Sequence, residues 1–162
     1  MRELILLRHA EAMQLALGGS DRARPLSLHG EQEAREAGAW LRAQGASPDT
    51  VLCSPARRAL MTVERALDVL TNAAASPAPR FLPEIYEATP GTLIALLEQH
   101  AADARQTLLV GHNPGLEQLL ALLISGRSGE ARGVAPAGIA WVELDAAGFD
   151  PGSARLRAFW SP

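Results

Sequence analysis

Lysine is missing from this chain, and all 15 of its cationic residues are arginine. That bias agrees with genome composition and decides nothing alone, although a guanidinium suits planar, bidentate recognition of phosphate. Cysteine is almost missing: Cys53 stands alone, which excludes an internal disulfide and a cysteine-rich zinc site. Its place beside Ser54 suits a small buried residue better than a thiolate nucleophile. With 4 scattered histidines there is no dedicated transition-metal cage either, so neither metal nor cofactor is expected. Aromatics make up only 4% of the residues, and Leu, Val and Ala must therefore fill the core. No apolar stretch approaches the ~20 residues of a membrane span. Leu4 to Leu7 is too short for the core of a secretion signal, so the expectation is a cytoplasmic protein with no membrane partner. The formal net charge of −3 lacks the basic surplus of a nucleic-acid binder. The G-x-x-x-x-G-K-[ST], G-x-G-x-x-G, H-E-x-x-H and G-x-S-x-G patterns are all absent.

What is present suits one globular domain spanning 1–162, with 48% hydrophobic and 20% charged residues. Leu4 to Leu7 reads as a buried central strand that ends abruptly at Arg8-His9. Gln14 to Leu26 is broken by Gly18, Gly19, Ser20 and Pro25 and reads as a loop, with Asp21, Arg22 and Arg24 as solvated charges. Ser27 predicts an N-cap for a helix reaching Gln44, with Ala34, Ala37, Gly38 and Leu41 on one face. His29, in its first turn, is expected to be exposed or packed. Thr50 to Cys53 is a second strand, and Ser54-Pro55 predicts a helix start that places Arg57 and Arg58 in the first turn.

Asn72 to Pro79 reads as a loop and Arg80 to Leu82 as a short strand; Thr89-Pro90 then opens a helix carrying Leu93, Leu96 and Leu97. Gln106 to Val110 is another apolar strand, followed by Gly111-His112 and a helix capped at Asn113-Pro114 with Leu116, Leu119, Leu120 and Leu123. Ser125 to Gly138 is expected to be irregular. Ile139 to Leu144 and Ala154 to Trp160 complete a hairpin at one sheet edge. The alternation of strand and helix predicts an α/β class: a three-layer α/β/α domain, its central sheet mostly parallel with an antiparallel edge and helices on both faces.

Three of the strand-to-helix junctions carry cationic or imidazole groups: Arg8-His9, Arg57-Arg58 and His112. Any one of them alone is better explained as structural or solvated. Parallel order, however, gathers the junctions beyond the carboxyl ends of the strands, where α/β sheets bind ligands, and together they predict an anion pocket. Arginines at a helix start oppose its dipole, which a bound anion would offset. Phosphoryl transfer needs fixed donors around three peripheral oxygens, plus a nucleophile that is neutral near pH 7. Imidazole supplies the second need, so one of the two histidines should serve as nucleophile. A phosphate-binding module without activity is the competing reading.

These segments resemble the histidine phosphatase superfamily, also called phosphoglycerate-mutase-like, and most closely its small SixA-type phosphohistidine phosphatases. L-I-L-L-R-H-A-E-A resembles the family's R-H-G or R-H-A motif, S-P-A-R-R-A-L-M-T its S-P-x-x-R-x-x-x-T motif, and L-L-V-G-H-N-P its second histidine motif. R-P-L-S-L-H-G is typical of the SixA-like branch. The resemblance implies that His9 is phosphorylated, that Arg8, Arg58 and His112 hold the phosphoryl oxygens, and that Arg57 is peripheral. It offers Glu84 as the family's proton donor, with Glu87 as the alternative, although SixA-like members depart from the rest here. It also implies a metal-independent phosphatase that removes phosphate from histidine on a protein, with small phosphomonoesters as the runner-up. Its partner would be a phosphorylated protein or a small phosphate-bearing molecule, and the enzyme itself a monomer or weak dimer. Glu11 acquires no role.

Overall fold

A computed structural model describes residues 1–14, 19–72, 74–129 and 132–162. Six strands form one sheet: β1 (Arg2–Arg8), β2 (Thr50–Cys53), β3 (Arg80–Phe81), β4 (Gln106–Gly111), β5 (Ile139–Leu144) and β6 (Ala154–Trp160). Their order is β3-β2-β4-β1-β5-β6. β3, β2, β4 and β1 are mutually parallel, whereas β5 runs antiparallel to both β1 and β6. The expected α/β class with an antiparallel edge is therefore observed. The helices are α1 (Leu28–Ala43), α2 (Arg57–Thr71), α3 (Pro90–Ala101) and α4 (Gly115–Ser125).

Strand alternation divides the core into two. Ile5 and Leu7 of β1 join Val51, Cys53, Leu108 and Val110 against α1 and α2, while Leu4 and Leu6 join Leu52 and Leu109 against α3 and α4. All four apolar residues of β1 are completely buried, so this strand has no face left for water and its functional groups must lie at its ends. Small residues bring α1 close to its neighbours. A Cβ on Gly38 would lie 2.3 Å from the Ala66 carbonyl oxygen of α2, and one on Gly30 would lie 2.0 Å from that of Glu11. Gly30 thus seats the start of α1 directly on the chain leaving β1.

Two helix starts differ from expectation. Ser27 does cap α1, accepting from the Gly30 amide at 2.9 Å, and Thr89 caps α3. Ser54 does not cap α2, which begins at Arg57 with Ala56 as its uncapped N-cap residue. Asn113 does not cap α4 either: its amide donates to the Val134 carbonyl at 2.8 Å, and α4 starts at Gly115. In both places a polar side chain with the sequence signature of a cap is engaged elsewhere. The loops expected over Gln14–Leu26, Asn72–Pro79 and Ser125–Gly138 fall partly outside the described residues, at 15–18, 73 and 130–131. Within the first, Asp21–Ala23 forms a short 3-10 helix.

Candidate active site

Sheet register brings the three junctions together. Arg8 pairs with Gly111 across β1 and β4, and Cys53 pairs with Val110 across β2 and β4. The main chain continues that alignment beyond the strands, with the His9 amide donating to Gly111 at 3.0 Å and the Ser54 amide to Val110 at 3.1 Å. Arg8, His9, Arg58 and His112 consequently line one cleft of about 570 Å3, shared with Asp21, Arg24, Tyr86, Glu87 and Asn113. Arg57 is exposed and lies outside that lining.

His9 is held in one tautomer. Its Nδ1 lies 2.8 Å from the Ala10 carbonyl oxygen, which can only accept, so Nδ1 carries the proton and Nε2 keeps a lone pair. The Ala10 amide is in turn fixed by Thr62 Oγ at 3.0 Å, and that hydroxyl donates to the Arg58 carbonyl at 2.7 Å. Thr62, fully buried at the end of the S-P-A-R-R-A-L-M-T segment, thereby ties the end of β1 to the first turn of α2. Burial pushes the His9 pKa down to about 4; the Ala10 hydrogen bond opposes this, and the nearby Arg58, Arg8 and Arg24 add to it. The imidazole is therefore neutral near pH 7.

His112 lies with its ring centroid 5.1 Å from that of His9. Burial, followed by the neighbouring His9 and Arg58, pushes its pKa down to about 3. Its Nε2 is 2.7 Å from Ser54 Oγ, and that oxygen also accepts from the Ala56 amide at 3.2 Å. Ser54, the expected helix cap, thus orients a histidine instead. His112 Nδ1 and Arg8 Nε are buried without a hydrogen-bond partner among the described residues. Such groups are costly to leave unpaired; both belong to residues that line the cleft, as does Asn113, whose Oδ1 is likewise buried without a partner among the described residues.

Arg58 is more constrained than the sequence implied. Its Nη1 donates to the Asp21 carbonyl at 2.8 Å and its Nη2 to Asp21 Oδ2 at 3.1 Å, with the side chain only 8% exposed. Asp21 also binds Arg24 Nη1 at 3.0 Å through Oδ1 and accepts from the Tyr86 hydroxyl through Oδ2. Tyr86 packs edge-on against His112, with ring centroids 5.5 Å apart, and carries the Arg22 guanidinium 4.4 Å above its ring. Asp21 and Arg22 are exposed, as expected of solvated charges, and Arg24 is half-buried, but all three make specific contacts because the 3-10 helix brings them to the cleft. In the sequence only R-P-L-S-L-H-G lay close enough to point there, and it marked a branch rather than a role.

The acidic position also changes. Glu84 is exposed and is not among the cleft residues, because the 3-10 turn Pro83–Ile85 buries Ile85 and leaves Glu84 outside. Glu87 lines the cleft instead, from a left-handed backbone with φ 56°. Burial pushes the Cys53 thiol far up, which keeps it protonated and unreactive. Glu11 serves the framework, since its Oε1 accepts from Ser27 Oγ at 2.8 Å and so holds the cap of α1. Among the described residues no three His, Cys, Asp or Glu side chains converge as metal ligands, and no helix is long and apolar enough to cross a membrane.

Known proteins share both sequence and architecture. An uncharacterised protein of Mycobacterium tuberculosis is 33% identical over 96% of this chain and 99% of its own length. The solved structure of a protein histidine phosphatase SixA complexed with tungstate superposes with a TM-score of 0.81 at 28% identity, covering 98% of this chain and 96% of the other. A chain from Agrobacterium tumefaciens assigned to the SixA phosphohistidine phosphatases gives 0.83 at 27% identity, covering 99% and 98%. Residues 4–93, which hold the first histidine, the arginine pair and the loop that folds over them, match the sequence profile of the histidine phosphatase superfamily, branch 1, and with that match the chain belongs to this superfamily.

Proposed function

We propose that this protein is a phosphohistidine phosphatase that works without a metal, through a phosphoryl group carried transiently on His9. One observation carries the reading: His9 is locked as a neutral imidazole whose Nε2 has no hydrogen-bond partner among the described residues, inside a cleft whose other walls hold Arg8, Arg58 and a His112 whose Nδ1 likewise has none among them. Similarity to the SixA protein solved in complex with tungstate, a tetrahedral oxyanion like phosphate, supports binding of an anion of that shape.

In the first step the His9 Nε2 lone pair attacks phosphorus; the new P–N bond forms as the bond to the substrate nitrogen breaks, and that electron pair leaves with the substrate imidazole. Arg8 and Arg58 hold the peripheral oxygens while charge redistributes. His112 can donate from Nδ1 when Ser54 Oγ supplies the proton to Nε2. Water then attacks the phosphorus on His9, breaks its P–N bond and releases phosphate, returning the Nε2 lone pair. A phosphoramidate with a protonated leaving imidazole needs little further help from an acid, which agrees with Glu84 lying outside the cleft. The substrate would be a phosphorylated histidine displayed on a protein.

Rapid alkaline quenching during turnover should trap a phosphoryl adduct that peptide mass spectrometry places on His9. His9→Ala should lose the adduct and at least about a thousandfold in kcat/KM. Turnover with excess chelator should equal that without it. No adduct together with full turnover by His9→Ala would reject the covalent route, and tight phosphate binding with no turnover would favour a phosphate-binding module.

A further inference from the structure

The cleft contains a negative charge that phosphate binding alone does not explain. Asp21 places its carboxylate on Arg58, one of the two arginines assigned to the phosphoryl oxygens, at the mouth of an anion site. A carboxylate there repels the phosphoryl group, so its presence calls for an offsetting role. Three donors hold it from three directions: Arg24 of its own loop on Oδ1, and Arg58 of α2 and the Tyr86 hydroxyl on Oδ2. A carboxylate offers about four lone-pair positions, which leaves one on Oδ1. The side chain is 46% exposed, so that position is accessible.

We infer that Asp21 is a specificity-determining residue that accepts a hydrogen bond from the distal ring N–H of a phosphorylated imidazole. The inference rests on the phosphohistidine reading above and names how that leaving group would be told apart from an alcohol. In-line attack by His9 places the leaving group on the side of phosphorus away from His9, and Asp21, half exposed, lines the same cleft. Arg58 has five N–H donors, of which two reach Asp21. Tyr86 also shares this guanidinium, and a donor beyond those contacts would serve a phosphoryl oxygen, so carboxylate and phosphoryl group would sit one guanidinium apart. An imidazole bonded to phosphorus through one nitrogen presents its other nitrogen on the far side of the ring, where an anionic acceptor can meet it.

The chemistry gains in two ways. An ester of an alcohol has no N–H at this place and meets only the repulsion. A phosphoimidazole protonated on its distal nitrogen leaves as neutral imidazole, and a carboxylate hydrogen-bonded to that N–H keeps the proton in place to higher pH. Asp21 suits this as an acceptor and not as an acid, because the Tyr86 hydroxyl, then Arg24 and Arg58, hold its own pKa far below the usual carboxylate range. The groups facing it are Arg24, Arg58 and Tyr86, with His112 and Arg22 beyond. Glu87, next to Tyr86 in the chain, is a second carboxylate of the cleft lining, but Asp21 is the one that shares the Arg58 guanidinium.

The test compares Asp21→Asn with wild type on phosphoimidazole and on an aryl phosphate, which shares the phosphoryl group but has no ring N–H. The variant should lose at least about tenfold more kcat/KM on phosphoimidazole than on the aryl phosphate, the size of one charge-assisted hydrogen bond. The alkaline limb of kcat for phosphoimidazole should also move down by about one pH unit. Arg24→Gln, which removes one holder and keeps the carboxylate, should leave the ratio of the two substrates within about threefold of wild type. Equal losses on both substrates with an unmoved alkaline limb would overturn the inference and make Asp21 only a positioning residue for Arg58. Wild type that hydrolyses the aryl phosphate and ignores phosphoimidazole would instead overturn the phosphohistidine reading itself, and this inference with it.

Discussion

The two ends of the central strands use the same residue types toward opposite outcomes. At the amino ends of β1 and β4 the carboxylates have partners. Glu3 accepts from Gln106 Nε2 at 2.6 Å and from Arg157, and Asp49 accepts the amides of Arg105 and Gln106 at 3.0 and 3.4 Å. At the carboxyl ends Arg8 Nε and His112 Nδ1 are buried without partners among the described residues, while Asp21 meets only part of the Arg58 guanidinium. A fold selected for stability alone would treat both ends like the first. The carboxyl end instead leaves buried polar atoms unpaired, a cost that the proposed phosphoryl site would offset.

Substituting a cleft residue should break that asymmetry most severely. Arg58→Lys keeps the charge and loses the planar fork that serves Asp21 and, in the proposed mechanism, the phosphoryl group. It should lower kcat/KM by about a hundredfold or more while barely moving the denaturant midpoint. A loss under about threefold would show that charge, not geometry, is what the carboxyl end provides.

Acid should expose the cost of the same end. His9 and His112 have folded pKa values of about 4 and about 3, below the ordinary 6.5. Between these values the unfolded chain binds more protons than the native one, so stability is full above pH 6.5 and falls as pH drops toward 4. The contribution of Asp21, whose ordinary value is 3.8, is lost only below this window. Urea midpoints taken from pH 7 to 4 should fall, and in His112→Asn the fall should be smaller by on the order of 2 kcal/mol. Identical pH slopes for the two proteins would mean that His112 is not the buried neutral group described.

The smallest effect should come from the amino end. Glu3→Gln removes one partly exposed ion pair to Arg157 and should cost about 1 kcal/mol or less in urea denaturation, with kcat/KM unchanged. A drop in activity would show that the two ends are coupled through β1.

Much of this is legible in the residues alone. The apolar runs at Leu4–Leu7 and Gln106–Val110 could only be buried strands, and the leucine spacing from Leu116 to Leu123 could only face a core. Arg8-His9, Arg57-Arg58 and His112 stand out because they fall at strand-to-helix junctions, and the motif S-P-x-x-R-x-x-x-T is what separates Arg58 from Arg57. What misled was local chemistry with two uses. Ser54 and Asn113 carry the signature of helix caps, and nothing nearby in sequence shows that His112 and Val134 engage them. Glu84 matched in spacing, yet spacing cannot say which side of a one-turn helix is buried; Ile85 decided it.

The sequence by itself determined the periodicities, and through them the strands, helices and the chain positions where chemistry could collect. It also showed that the cationic groups at these positions had to be arginine, since lysine is missing. Only the tertiary structure decided which loop joins them. Asp21 lies 37 residues from Arg58 and 65 from Tyr86 along the chain. No local pattern encodes such contacts, because they arise from how the loop after β1 packs across the ends of β2 and β4. The His9 tautomer is decided in the same way: the Ala10 carbonyl is local, but Thr62, 52 residues away, fixes its peptide from the next helix.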